Sequence, residues 1–133
     1  MKAALRPLSL LWLVLFATLS LTAAPMPRWE RLGIRVVNYA IDHDEILVTA
    51  YEGFFTALQI KVKGAPIDLM RCVVHYRNGE TQEINVRQLI PAGGQSRILD
   101  LPGNRRIITK VVFWYDTKNI ARRRATVELW GRH

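Results

Sequence analysis

Much of what makes a short chain easy to classify is missing from this one. Its 133 residues hold a single cysteine, Cys72, and three histidines, His43, His75 and His133. One cysteine cannot close an internal disulfide, and no Cys-x-x-Cys or His-x-x-x-His spacing exists for zinc. The acidic stretch Asp42-His43-Asp44-Glu45 lacks the glycine and long ligand spacing of a calcium loop and reads as a polar turn. After residue 24 the one serine, Ser96, lies outside any Gly-x-Ser-x-Gly elbow. Carboxylates that could work as a pair, Asp68 with Glu83 or Asp100 with Asp116, are no more than eleven acids scatter through a small domain. We therefore expect no metal, no cofactor and no enzyme.

A long apolar run occurs once. Met1 to Arg6 carries Lys2 and Arg6 without an acid, and Leu8 to Ala24 follows with no charge at all. A basic start, an apolar middle and a small-residue end make a secretory signal peptide over residues 1–24. The run is 17 residues, short of the ~20 that span a bilayer. Cleavage falls near Ala23 or Ala24, with a retained membrane anchor as the alternative. Residues 25–33 then form a proline-broken lead and residues 34–133 one domain, exported to the periplasm or beyond. No cysteine ends the apolar run, which closes the lipoprotein route.

Cys72 alternates with Val74 and Tyr76 in MRCVVHY and reads as a small buried hydrophobe rather than a reactive thiol. Charge is one-sided: 19 basic residues face 11 acidic ones, a net +8. Without Lys2 and Arg6 the excess is about +6, which attracts polyanions non-specifically. In an exported protein these are envelope lipids, surface polysaccharides and teichoic-type polymers. Nucleic acid is not an expected partner there.

The rest is β-like. Short alternating segments recur every eight to twelve residues, the spacing of a sandwich or barrel. Strands are expected at Ile34–Tyr39, Ile46–Tyr51, Ala57–Lys63, Leu69–Tyr76, Glu80–Arg87, Ser96–Leu101, Ile107–Tyr115 and Arg124–Trp130. The separators include DHDE, EGFF, KGAP, RNG, PAGG, PGN and DTKN. In LQIKVKG, Leu58, Ile60 and Val62 point inward and Gln59, Lys61 and Lys63 outward. In ATVELWG, Ala125, Val127 and Leu129 point inward while Thr126 and Glu128 point outward. The fold class is thus all-β, a single sandwich of about eight mostly antiparallel strands.

The hairpin VVHYRNGETQEINV has a readable register, because a one-residue slip exchanges its faces. A two-residue turn at Asn78-Gly79 would leave both faces mixed. A three-residue loop, Arg77 to Gly79, pairs Tyr76 with Glu80 and gathers Met70, Cys72, Val74, Tyr76, Ile84 and Val86 on one side. Arg71, His75, Thr81, Glu83 and Asn85 take the other, with Val73. We expect that loop, with Gly79 left-handed in a bulge, and an ordinary solvated outer face.

Basic clusters are the strongest remaining signal. NRRIITK supplies Arg105, Arg106 and Lys110; ARRRA supplies Arg122, Arg123 and Arg124; KVK adds Lys61 and Lys63. Alternation puts Arg122 and Arg124 on one side and Arg123 on the other. Arginine forks suit phosphate and carboxylate ligands, whereas the same charges on an edge strand guard it against pairing. VVFWYD is apolar on both faces, as a central strand would be; Trp114 with Trp130 could alternatively form a stacking platform.

In order and spacing, ALQIKVKGAPIDL, VVHYRNGETQEI, GGQSRILDLPGNRRI and VVFWYD with ATVELWG resemble a family of small exported bacterial β-domain proteins of unknown function. The resemblance runs from about Trp29 to Arg132 and implies an exported β domain, with no substrate or site residue to carry over. The function expected is a non-catalytic module holding an anionic envelope glycan or lipid through Arg105, Arg106, Lys110, Arg122, Arg123 and Arg124. The alternative is an assembly protein that meets another envelope protein through an edge strand or the Trp114–Trp130 face.

Overall fold

The computed structural model describes residues 26–37, 43–49, 52–103, 105–116 and 124–133. They form nine strands and no α-helix: β1 (Trp29–Val37), β2 (His43–Leu47), β3 (Phe54–Phe55), β4 (Ala57–Lys63), β5 (Ile67–Tyr76), β6 (Thr81–Ile90), β7 (Leu99–Asp100), β8 (Arg106–Tyr115) and β9 (Ala125–Arg132). All pairings are antiparallel. One sheet has the order β1-β9-β4-β7; the other has β2-β8-β5-β6, with β3 also on β8. The alternation legible in the sequence builds the core between them. Leu58, Ile60, Val62, Val127 and Leu129 of the first sheet and Cys72, Val74, Val111 and Phe113 of the second are all buried.

Several boundaries moved. β1 starts at Trp29, five residues before the expected Ile34, and so takes in part of the lead. His43–Glu45 of the supposed DHDE turn opens β2, held against Trp114 to Val112 of β8. The EGFF separator contains β3, whose Phe54 and Phe55 pair with Ile107 and Arg106. The expected strand Ser96–Leu101 shrinks to β7, because Ser96 meets β4 by side chain as well as backbone: Ile60 N–H donates to its Oγ at 3.0 Å. The expected signal peptide, Tyr39, Asp42, Tyr51, most of the DTKN loop, Arg122 and Arg123 lie outside the described residues.

The hairpin adopts the three-residue loop. Tyr76 N–H donates to Glu80 O at 2.9 Å and Gly79 N–H to Tyr76 O at 3.0 Å. Gly79 is left-handed, φ 91°, and Asn78 Oδ1 accepts from Glu80 N–H. Cys72, Val74, Tyr76 and Val86 are buried and Ile84 packs against them, as the face separation requires. Met70 departs from that face and is 40% exposed. The register slips between Leu69 and Arg71 against both neighbours, so Leu69 takes the core position instead. Opposite it on β6, Arg87 adopts φ 45°, the left-handed geometry of a bulge. A second slip on β8 lets Ile108 and Val111 both face inward; Thr109 between them donates its hydroxyl to His75 O.

Arginines suture both corners of the sandwich. Arg35 Nε donates to Glu45 O at 2.8 Å, tying β1 to β2. On the other side Arg97 donates to Val86 O at 2.6 Å and Asn85 O at 2.8 Å, and its backbone N–H reaches Gln88 Oε1. These guanidinium groups occupy carbonyls that an edge strand would otherwise offer to a neighbour.

Two glycines separate conformational from steric cost. At Gly79 an added Cβ meets nothing within 4 Å, so Gly79→Ala should cost about 1 kcal/mol, the left-handed penalty alone. At Gly131 the Cβ would lie 2.6 Å from Phe55 Cδ1 and 2.9 Å from Leu32 Cδ1. Gly131→Ala should therefore cost about 2–3 kcal/mol. Urea unfolding of the two variants checks the order.

Candidate anion-binding groove

β8 opens with Arg106, and Arg105 just before it points the other way. Arg106 turns over the end of the core. Its guanidinium lies 3.7 Å from the centre of the Tyr76 ring, 2.8 Å from Glu80 Oε2 and donates to Pro102 O. Burial raises the Tyr76 phenol's pKa, with the Arg106 cation opposing. Arg105 turns outward and stands 4.8 Å from the centre of the Phe54 ring, which β3 delivers beside β8 and leaves 46% exposed.

One residue past Phe55 the chain changes sheets. Thr56 N–H donates to Arg132 O at 2.8 Å, and Arg132 Nε donates back to Thr56 Oγ1 at 3.0 Å. Arg132 also reaches Asp100 Oδ1 at 3.5 Å and lies over Trp29. Beside it His133 N–H donates to Arg28 O. Thus β3, β8, β9 and the residue before β1 converge at one end of the sandwich.

Three shallow hollows line up there. The first, about 420 Å³, lies between the hairpin tip and Phe54 and includes Arg77, Arg105 and Arg106. The second, about 570 Å³, shares Phe54 and Arg105 with it and adds Arg28, Glu52 and His133. The third, about 550 Å³, shares Arg28 and His133 with the second and adds Arg132. The three adjoin through these shared side chains and are together called the groove. Each volume falls within the range of ligand sites. Glu52 is the one acidic side chain among its described lining residues. Arg28, Arg77 and Arg105 form no ion pair with any described residue.

Two acids and a histidine meet beside that groove. Glu30 and Glu52 perturb each other: the Glu52 side chain, with His133, holds the Glu30 carboxyl below its ordinary pKa, and the Glu30 side chain, with burial, raises that of Glu52. His133 Nε2 contacts Glu30 Oε2, its Nδ1 reaches Phe54 O at 3.1 Å, and its ring packs on Phe55. Neither Glu30 nor Glu52 belongs to the carboxylate pairs singled out above. Their approach depends on β1 and the turn before β3 ending beside the same C-terminal residue.

The other expected site residues go elsewhere. Lys110, midway along β8, is 3.5 Å from Glu45 Oε2. Arg124 precedes β9, whose eight residues separate it from Arg132 by roughly 25 Å at strand rise. Arg105 and Arg106 therefore share an end with Arg28, Arg77 and Arg132, and Arg124 stands at the opposite one. The sequence flagged Arg105 and Arg106 because they are adjacent. It offered no such mark for Arg28 in MPRWE, Arg77 in RNG or Arg132 in WGRH, which only the fold assembles.

The outer face of the first sheet looks cationic in sequence, and part of that charge is met by one buried carboxylate. Glu128, expected to be solvated, is 4% exposed. Its Oε2 is 3.4 Å from Lys63 Nζ and 3.5 Å from Arg31, and its Oε1 accepts from Trp130 Nε1 at 3.1 Å. Burial pushes its pKa up, but the Trp130 hydrogen bond and the two cations outweigh this and hold it below the ordinary carboxylate value. Lys61 sits 4.1 Å above the Trp130 ring. Trp114 belongs to the other sheet, 3.9 Å from Arg71 and stacked with His43. Trp114 and Trp130 thus stand on different sheets, and the stacking platform offered as the alternative reading does not form.

The fold and the groove define a class first: a small two-sheet β-sandwich with an arginine-lined end. The chain belongs to the family described as Domain of unknown function (DUF2541), whose model matches residues 9–131. No curated protein matches it. A solved structure, titled "Structural and functional characterization of Pseudomonas aeruginosa AlgX", is similar in fold, with a TM-score of 0.52 and 10% identity. The alignment covers 75% of this chain and 26% of that one, so this chain spans about a quarter of that chain's length.

Two predictions concern groups outside the groove. The depressed Glu128 pKa contributes stability above the ordinary carboxylate pKa, lost as pH falls through the folded-state value. Glu128→Gln should cost about 1 kcal/mol at neutral pH and flatten the acid limb of thermal stability measured against pH. Cys72 is buried and its thiol is pushed up to about 12. Iodoacetamide should leave the native protein unmodified at pH 8 and label it only after denaturation.

Proposed function

We propose that this chain is an exported, non-catalytic module that holds an anionic envelope component, glycan or lipid, in the groove at the end of its sandwich. The observation that carries the reading is the gathering of Arg28, Arg77 and Arg105, none of them in a salt bridge with a described residue, along three adjoining hollows. Unpaired forks retain their donors for carboxylate, sulfate or phosphate. Other cations support binding less well: Arg106 and Lys110, read from the sequence, already face Glu80 and Glu45, and Arg132, brought in by the fold, faces Asp100.

The non-catalytic reading carries over from the sequence, where the one serine after residue 24, Ser96, lies outside any Gly-x-Ser-x-Gly elbow. Assembly through an edge strand draws less support, because Arg97 and Arg35 occupy the carbonyls of Asn85, Val86 and Glu45. The compartment follows from the leader, with export removing nucleic acid from the partners considered.

Retention of the purified domain on isolated envelope fractions tests this reading. Raising salt from 0.1 M to 1 M shortens the screening length from ~10 Å to ~3 Å and should release the domain. Reversal of Arg28 and Arg105 to glutamate should reduce retention at least about tenfold, while Arg124→Glu leaves it nearly unchanged. Retention that ignores both salt and the double reversal overturns the proposal.

A further inference from the structure

We infer that the ligand of this groove is a linear acidic polymer, an extended glycan strand with regularly repeated charges, laid across the end of the sandwich from the β5–β6 hairpin to the start of β1. The inference rests on the binding reading above and narrows its ligand. Length is the first argument. Arg77 follows β5, Arg105 precedes β8, Phe54 lies in β3, Arg132 ends β9 and Arg28 precedes β1. From β5 through β8, the β3–β4 strand and β9 to β1 is four neighbour spacings, a curved path of about 20 Å. One phosphate or one headgroup can meet only part of it.

The distribution of free charge follows the same line. Arg77 lines the first hollow, Arg105 the first and second, and Arg28 the second and third, so the three follow one another along the end of the sandwich. A compact anion would call for forks converging on one point. Spaced forks match charges repeated along a chain. Phe54, half exposed between the first two hollows, offers the apolar ring against which a sugar face can stack.

The apolar surface argues against a bilayer. Of the exposed large hydrophobic side chains, Phe54 and Met26 line the groove, while Ile34, Val36, Leu47, Met70, Leu89 and Ile98 do not. A membrane seated on this end would gain little apolar burial.

The probes are oligogalacturonates, with one carboxylate per sugar, from dimer to octamer, and phosphatidylcholine vesicles containing phosphatidylglycerol. Affinity measured by calorimetry should climb about tenfold or more from dimer to the longest oligomers and then level off as the chain outgrows the groove. Arg28→Gln, Arg77→Gln and Arg105→Gln should each lower the salt dependence of octamer binding by about one counterion. Their thermal unfolding should match that of the parent protein, because all three positions are exposed. Affinity independent of length, or vesicles bound more tightly than the octamer with the same arginines required, overturns the polymer and leaves an anion site of the broader kind. Failure of every probe and of the envelope fractions overturns both.

Discussion

The change of sheet between Phe55 and Thr56 is the constraint on which the rest of this molecule depends. Phe54 and Phe55 are still paired with β8, yet Thr56 already bonds to the backbone of Arg132. A chain that crosses between sheets in one step must keep its side chains packed while the strand direction bends. Phe55, fully buried, fills the corner because Gly131 opposite it has no side chain. That single packing decision brings the start of β8, the end of β9 and the approach to β1 together. The arginines of three separate segments reach one groove as a consequence of it.

Electrostatics at the surface is more economical than the net charge implies. Glu128 lies under Arg31 and Lys63 and ties up the Trp130 indole. Arg35 and Arg97 donate to backbone carbonyls at the two corners, doing structural work that has nothing to do with ligands. A count of basic residues sums these with the unpaired forks and cannot separate them. Partner geometry can, because a guanidinium already engaged by carboxylate or carbonyl has fewer donors left for anything else.

The hairpin shows how far pattern alone can reach. Its register followed from requiring one face to be apolar, and the bulged loop at Gly79 agrees with that requirement. Met70 shows where the same rule ends. A bulge resets alternation, so Leu69 takes the core and Met70 turns to the surface. Nothing in MRCVVHY marks the slip, since Leu69 and Met70 are both apolar and either could be buried. β3 was illegible for a related reason: two residues are too few to show alternation, and EGFF carries a turn residue.

What the sequence by itself determined was local. Alternating hydrophobicity set the all-β class, the core faces of β4 and β9 and of β5 beyond its bulge, and the antiparallel hairpin, because side-chain direction in a regular strand depends only on position parity. Tertiary structure decided everything that required two distant segments to meet. It placed Trp114 and Trp130 on different sheets, buried Glu128 among cations, and set Glu52 against Glu30 and His133. It also divided the arginines between opposite ends, keeping Arg105 with Arg28 and Arg77 and leaving Arg124 roughly a strand length away. Strand order, bulges and the crossing at Thr56 made those choices, and none of them has a period that a linear reading can detect.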